Sequence, residues 1–203
     1  EANADYDLIY TDAEIIKANG DRTGKRYSNI FNIRKRINSG YIYNDLKKSN
    51  FIVFSSVMIR RDILREFKGF DDKLSVCIDW WFFIELSRTH KFYYLDQVLT
   101  YIRIHGGNDS LHNIDRFYMD YVEIYGRLLA KHPNDNELLF RKCFNLILLG
   151  HSKTAHDEIL QSSLLFRDVR LTFLFLFTLP FFDKMLRLII DFRLWLIHRF
   201  VYS

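Results

Sequence analysis

The hydrophobic pattern of this chain changes near residue 110, and this change constrains the fold more than any other feature. Before that point, short apolar runs with the length of buried strands alternate with polar turns and short helical segments. Beyond it, every segment has the periodicity or the apolar content of a helix. This order predicts an α/β region over 1–110 and an all-α region over 111–203.

The composition is that of a folded chain, and it argues against some classes of function. Of the 203 residues, 49% are hydrophobic and 27% are charged, which is typical of globular domains. The net charge of +4 is low and no basic patch is interleaved with aromatic residues, so we do not expect nucleic-acid binding. Cys77 and Cys143 stand far apart in unlike settings, which favours free thiols in a reducing cytosol over a disulfide or a zinc motif.

The apolar runs before residue 110 predict a series of strands and short helices. The run over 5–16 predicts a buried strand that ends in a polar turn, with Asp12 and Glu14 as turn acids. The later segments are a strand over 51–59, a helix over 60–67, a helix over 79–89 that is apolar on nearly every side, and strands over 91–95 and 98–104. In the second region we expect helices over 112–131, 135–149 and 152–165.

The tail over 171–203 allows two interpretations. Its apolar run over 171–182 is about half the ~20 residues that a membrane-spanning helix needs, and Pro180 interrupts it. The stretch that follows is amphipathic, with basic residues on one face and Trp195 on the other, which suits a helix lying on a membrane surface. A helix hairpin that packs on the core explains the same pattern.

Four motifs follow one another between Phe51 and Ser110. They are Ser55-Ser56-Val57-Met58-Ile59-Arg60-Arg61, Gly69-Phe70-Asp71-Asp72, Ile78-Asp79-Trp80-Trp81-Phe82-Phe83 and Tyr101-Ile102-Arg103-Ile104-His105. In this order and spacing they resemble the second half of the family-2 glycosyltransferases of the GT-A fold. The resemblance covers residues 5–110 closely and the helical region loosely.

The resemblance implies an incomplete GT-A, Rossmann-like core over 1–110, its acceptor-side rear half, followed by the helical region 111–203 with a membrane-associated tail over 171–203. The implied activity is the inverting transfer of a sugar from a nucleotide-sugar donor to a glycan or lipid-linked acceptor. Such enzymes build bacterial cell-surface polysaccharide. The expected location is cytoplasmic and peripheral, at the inner face of the cell membrane.

The resemblance also points to a catalytic base. In the family the second acid of a Glu-Asp pair plays this part, and it matches Asp79. A carboxylate can take the proton of an acceptor hydroxyl as its oxygen attacks the anomeric carbon, and apolar neighbours make it more basic. Asp79 also stands where a helix begins, so a capping role explains it equally well. Ile78 stands where the family has Glu, which puts a second carboxylate role in doubt.

Four further residues are candidate binding residues by the same resemblance. Trp80 and Trp81 offer ring faces for sugar stacking if they point into the cleft rather than into the core. His105 would approach a metal ion or the diphosphate, with a solvent-exposed loop histidine as the alternative. Arg103 would pair with a phosphate, or it would be a charge at a strand edge.

The family holds its donor diphosphate through a divalent metal, Mg²⁺ or Mn²⁺, on an Asp-x-Asp motif that this sequence lacks. Because the chain opens on Glu1, we expect upstream sequence with roughly one hundred residues of βαβ structure. Without that part the chain is expected to bind nucleotide sugars poorly and to be inactive. The alternative function is a non-enzymatic remnant or interaction module, whose helical tail docks on a membrane or a partner protein.

Overall fold

The computed structural model describes residues 5–66, 69–105, 107–108, 113–164 and 167–179. The chain divides into two compact units, Glu1–Ile114 and Asp115–Ser203. Within the described residues, the first unit combines an open four-stranded sheet with short helices, and the second is helical. The predicted mixed α/β class is confirmed, while the function of each region stays a prediction.

The sheet is built around its first strand. The strands are β1 (Leu8–Ile16), β2 (Arg22–Arg26), β3 (Met58–Ile59) and β4 (Phe92–Arg103). Strand β1 pairs with β4 in parallel along its whole length. It pairs antiparallel with β2 near its end and with β3 near its start. Strands β2 and β3 therefore share one edge of β1, and β4 occupies the other.

Asp12 and Glu14 lie inside β1, so the prediction that they are turn acids is wrong. The strand continues to Ile16, and only 3% of Asp12 and 5% of Glu14 is exposed. A buried carboxylate is tolerated where hydrogen bonds replace its water. Asp12 accepts hydrogen bonds from the backbone N–H and hydroxyl of Ser28, at 3.2 and 2.5 Å. Glu14 accepts from the Arg22 guanidinium, which holds the pKa of Glu14 below its ordinary value.

The segment 51–59 is also not the single strand that its apolar run predicts. It consists of a buried extended stretch, a 3₁₀ turn over Phe54–Ser56 and the two residues of β3. The Ser56 hydroxyl donates to the carbonyl of Val53 at 2.7 Å and accepts from the N–H of Thr11 at 3.2 Å. This hydroxyl closes the turn against β1. An apolar run predicts burial but not the path of the backbone, which is why the single-strand prediction is wrong.

The two strands predicted on either side of Asp96 form one continuous strand, β4. The neighbouring β1 residues Thr11 and Asp12 pair with Leu95 and Val98, respectively. Two residues of β4 therefore bulge out of the ladder at this point. The bulge explains the break in the sequence pattern without ending the strand.

The helices of the first unit are short, and one of them is enclosed. They are α1 (Tyr27–Ile30), α2 (Tyr43–Leu46), α3 (Arg61–Glu66) and α4 (Ile78–Leu86), with a 3₁₀ turn at Arg34–Arg36. Helix α4 is apolar on nearly every side, as predicted, and it buries Trp80, Phe82, Phe83 and Ile84. The indole N–H of Trp80 donates to the carbonyl of Leu46 at 2.8 Å, which attaches α4 to α2.

The second part of the chain is helical. Its helices are α5 (Ile114–Lys131), α6 (Asn136–Leu148), α7 (Ser152–Gln161) and α8 (Val169–Phe177). Asp135 caps α6 by accepting from the N–H groups of Glu137 and Leu138. Gly150 connects α6 to α7 with a φ of 81°, a left-handed conformation that favours glycine. A core common to α6, α7 and α8 contains Leu139, Cys143, Leu146, Ile147, Ala155, Ile159, Leu164, Leu171 and Leu174.

The described start of the tail packs one face on the core, and the membrane-surface role stays a prediction. Leu171 and Leu174 of α8 are buried in the core of the second unit, while Val169 and Phe173 are exposed. The amphipathic stretch predicted after Pro180 lies outside the described residues. None of the helices formed by the described residues is long and apolar enough to cross a membrane.

We expect Trp80→Ala to destabilise the first unit by about 3–5 kcal/mol, because it leaves a cavity and removes the donor to Leu46. Urea denaturation followed by far-ultraviolet circular dichroism measures the loss. Trp81→Ala is the control, since Trp81 on the same helix is partly exposed and should cost clearly less. Equal losses for the two variants would contradict the assignment of Trp80 to the core.

Candidate functional site

Asp79 lies in the first turn of α4 but does not cap it. The helix begins at Ile78, and its N-cap residue is Cys77, which makes no side-chain capping hydrogen bond. The prediction that Asp79 caps this helix is therefore wrong, because Asp79 lies two positions beyond the N-cap residue. Its Oδ1 instead accepts from the adjacent backbone N–H of Trp80 at 2.7 Å.

The surroundings of Asp79 are apolar. Phe82 and Phe83 follow it by three and four positions, on the same side of α4, and both are buried. Burial raises the pKa of the Asp79 carboxyl above its ordinary value of 3.8, because desolvation disfavours the charged form. The Trp80 N–H and the Asn50 amide act in the opposite direction without overcoming this effect.

Asn50 turns its amide nitrogen toward Asp79. Its Oδ1 accepts from the backbone N–H of Ile52 at 3.0 Å, so the amide is oriented from the other end. Its Nδ2 is 3.5 Å from Oδ2 of Asp79, which is at the limit of a hydrogen bond. One carboxylate oxygen is thus only weakly engaged by the protein. Sequence reasoning missed Asn50, because an isolated Asn in a polar segment carries no signal.

Helix α1 carries an aromatic pair. The rings of Tyr27 and Phe31 lie 4.5 Å apart between centroids, at the start and just beyond the end of α1. Burial raises the pKa of the Tyr27 phenol above its ordinary value, and the charge of Asp79 acts in the same direction. Phe31 is 46% exposed. The sequence signal was the i, i+4 spacing of two aromatic residues in a polar stretch.

The two tryptophans that the resemblance selected differ in their exposure. Trp80 is 1% exposed and its indole N–H is bonded to Leu46, so its ring is part of the core in this structure. Trp81 is partly exposed, on the turn of α4 that carries Asp79. A stacking role in the site therefore stays open for Trp81 and not for the enclosed ring of Trp80.

Arg103 and His105 lie together at the end of β4. The Arg103 guanidinium donates to the carbonyls of Lys17 and Ala18, at 3.4 and 3.1 Å, and so holds the turn that follows β1. His105 is exposed, and its Nδ1 accepts from the N–H of Gly107 at 3.0 Å. The contacts described for these two residues belong to this end of the strand, and none of them reaches Asp79.

The metal that the resemblance implies has no ligand set in the described part of the chain. Among those residues, no group of three or more His, Cys, Asp or Glu side chains could hold a metal ion. His105 is exposed, and its Nδ1 accepts from the Gly107 N–H, so its role toward a metal stays a prediction. The described residues thus do not themselves fit Mg²⁺ or Mn²⁺.

Comparison of the chain with protein-family models, with curated proteins and with solved structures finds no match.

We expect Asp79→Asn to raise the melting midpoint at pH 7, by about 1–4 °C, because it removes a charge that is costly to bury. The folded pKa of Asp79 is raised, so the folded state binds more protons than the unfolded state and stability falls as pH rises. The advantage of the variant should therefore be absent below the ordinary pKa of 3.8 and appear as pH rises through the raised pKa. Thermal melts from pH 3 to pH 8 measure it.

Asp62→Asn is the matched control, with the opposite sign. The Arg60 guanidinium lowers the pKa of the exposed Asp62 carboxyl, so its ionised form favours the folded state. This variant should lose a little stability above the ordinary carboxyl range and none below it. A midpoint for Asp79→Asn below that of the wild type at pH 7 would show that the Asp79 charge is stabilising.

Proposed function

We propose that this chain carries the acceptor side of an inverting, nucleotide-sugar-dependent glycosyltransferase with a GT-A core, and that Asp79 is its catalytic base. The observation that supports this most is the environment of Asp79. Its carboxylate is partly buried beside apolar residues, its pKa is raised, and one of its oxygens has only a 3.5 Å contact with Asn50. A base that is available and more basic than usual is what the reaction requires.

The comparison with other acids of the same unit strengthens the proposal. Asp12 accepts from the Ser28 hydroxyl at 2.5 Å, and Glu14 is held by the Arg22 guanidinium. These acids are satisfied as structural carboxylates are. Asp79 has weaker partners, namely the adjacent Trp80 N–H, its own backbone N–H and the Asn50 amide at 3.5 Å. Such a group costs stability, and catalysis is a reason for keeping it.

In the proposed reaction, the acceptor hydroxyl oxygen attacks the anomeric carbon of the donor sugar as the bond to the nucleoside diphosphate breaks. Asp79 takes the proton of that hydroxyl, so the new glycosidic bond forms without a charged oxonium intermediate. The configuration at the anomeric carbon inverts because attack and departure occur on opposite faces. The nucleoside diphosphate leaves with the bonding electron pair.

The wider role that we propose is the synthesis of bacterial cell-surface polysaccharide, on a glycan or lipid-linked acceptor at the inner face of the cell membrane. The support for this role is the resemblance over residues 5–110 together with the apolar surface of α8. A non-enzymatic interaction module remains the second candidate. Its supporting observation is the same exposed apolar surface in the helical unit.

Asp79→Asn should reduce transfer by at least about 100-fold, because the amide cannot accept the proton although it has nearly the same shape. The measurement is nucleoside diphosphate release from a panel of nucleotide sugars in the presence of glycan acceptors. It uses the protein as its gene encodes it, with Mg²⁺ or Mn²⁺. Asp62→Asn is the control and should retain wild-type turnover. Unchanged transfer in folded Asp79→Asn would rule out the base role.

Helix α8 supports the membrane part of the proposal. Val169, Phe173 and Leu176 are exposed apolar residues on this helix, and Arg170 lies among them. Together with Phe140, Phe144 and Phe177, Val169 and Phe173 line a cavity of about 300 Å³ beside Arg170. Arg170 is ion-paired with Asp168 and Glu137, so this surface offers lipid its apolar side chains rather than a free positive charge.

We expect the wild-type chain to float with anionic phosphatidylglycerol vesicles, and Phe173→Asp to shift at least about half of it into the soluble fraction. The added charge would have to enter the lipid interface, which opposes binding. Leu160→Asp is the matched control, because Leu160 is an exposed leucine on the neighbouring helix α7. Equal flotation of all three proteins would contradict a lipid-binding role for α8.

A further inference from the structure

The positive charge of the chain is concentrated in the segment 22–36, which comprises β2, α1 and the 3₁₀ turn that follows them. This segment has six basic residues and no acidic one, whereas the whole chain has a net charge of only +4. The remainder of the sequence is therefore net negative. The six residues, all exposed except the partly exposed Arg26, are Arg22, Lys25, Arg26, Arg34, Lys35 and Arg36.

One carboxylate holds the two basic runs of this segment together. Asp96, at the bulge of β4, accepts from the Arg26 guanidinium at 2.7 Å and lies 3.5 Å from that of Arg34. Arg26 belongs to β2, which pairs with the opposite edge of β1, so its side chain reaches across β1. The sequence alone indicates no basic patch, because seven residues separate Arg26 from Arg34. The fold joins the two runs into one surface, here called the basic face (residues 22–36).

The chain between the two runs presents an aromatic ring to solvent. Ser28 and Ile33 are buried, and the N–H of Ile33 donates to the carbonyl of Ser28 at 3.0 Å. The Ser28 hydroxyl in turn donates to the buried carboxylate of Asp12, which attaches this stretch to β1. Phe31, between the two buried residues, is 46% exposed, and its ring lies 4.5 Å from that of Tyr27 between centroids. The anchors on either side of Phe31 thus hold its ring at the surface.

Three cations of the basic face have no carboxylate partner among the described residues. Lys25 and Lys35 are exposed, and their ammonium groups make no described hydrogen bond or ion pair. The guanidinium of Arg36 donates to the hydroxyl of Ser49 at 2.8 Å, which is a neutral group. Such charges attract an anionic surface over about 10 Å at 0.1 M salt.

We propose that the basic face docks on the anionic surface of a membrane, with its cations against phosphate headgroups and the Phe31 ring in the interface. Opposite charge draws the face to such a surface. An aromatic ring between cations suits the boundary of headgroups and acyl chains, an environment that a soluble polyanion does not offer. The choice of a membrane rests on the peripheral location proposed above, and the proposal adds the surface of the first unit that makes the contact. It does not depend on transfer activity.

The test measures partition of the full chain into vesicles by sedimentation, with phosphatidylcholine alone or in equal parts with phosphatidylglycerol. The anionic vesicles should bind at least about 10-fold more tightly, because each cation near an anionic surface contributes about fivefold. Lys25→Gln/Lys35→Gln should therefore weaken this binding about 25-fold. Raising the salt from about 0.1 M to about 1 M should weaken it at least as much, since screening shortens the reach of the charges. Phe31→Ser should cost about 3–10-fold, through the lost apolar contact.

Arg61→Gln/Arg65→Gln is the matched control. Both arginines are exposed on α3, which follows β3 at the opposite end of β1 from β2. This variant removes the same number of charges and should lose less than about threefold. Asp96→Asn has the opposite sign, because it removes the carboxylate that Arg26 and Arg34 share, and it should tighten binding about fivefold. The melting midpoint of the lysine variant should match the wild type.

Several results would overturn the basic face as a membrane contact. They are equal partition into neutral and anionic vesicles, unchanged binding by Lys25→Gln/Lys35→Gln, and an equal loss in the arginine control. Lysine-dependent binding to a DNA duplex without binding to vesicles would replace the membrane by a nucleic acid.

The basic face and the apolar surface of α8 fail in different ways. Vesicle binding that persists at high salt and depends on Phe173, but not on Lys25 and Lys35, would keep the α8 contact and remove the basic face. Salt-sensitive binding that depends on the two lysines and is unchanged by Phe173→Asp would do the reverse. Lysine-dependent vesicle binding by a protein without any transfer activity would leave the basic face standing and remove the transferase.

Discussion

Strand β1 is the element on which the first unit depends, because it is paired on both edges and buried along almost its whole length. A strand in this position normally reads as an uninterrupted apolar run. This one contains Asp12 and Glu14, and both carboxylates must be satisfied inside the fold. The segments that satisfy them, α1 through Ser28 and β2 through Arg22, are thereby attached to the centre of the sheet. Two charges that would otherwise oppose folding thus determine where β2 and α1 lie.

Helix α4 is held in place by apolar packing rather than by buried charges. Its aromatic and aliphatic residues pack into the core, and the indole N–H of Trp80 donates to the carbonyl of Leu46 rather than to solvent. Such a helix positions its first turn firmly, since a side chain packed on several sides has little freedom to move. Asp79 is in that turn. A carboxylate on a rigid apolar support is more precisely placed than one on a loop, and it is also more basic.

How well each element of the fold could be predicted depends on the signal that its own sequence carries. The run Trp80-Trp81-Phe82-Phe83 is too apolar for a surface helix, so burial of α4 followed directly from its residues. The run over 51–59 was equally apolar, but the Ser56 hydroxyl diverts the backbone into a turn, and such a hydrogen bond leaves no trace in the pattern. Asp12 was misplaced for a related reason. Asp is common in turns, and its burial depends on Ser28, sixteen residues away.

Sequence-based prediction of the candidate site was limited in the same way. The resemblance selected Trp80 for sugar stacking because it is next to Asp79, yet its ring is buried in the core. Phe31 is one of several exposed aromatic residues of the unit, and it lies in a polar stretch whose position is set by contacts with β1. A buried anchor can therefore fix the position of a segment whose sequence carries no motif. What distinguishes Asp79 from Asp12 and Glu14 is that its partners are weaker, the adjacent Trp80 N–H and an Asn50 amide at 3.5 Å, while burial raises its pKa. The fold therefore leaves this carboxylate more open to a donor from a ligand than either of the other two.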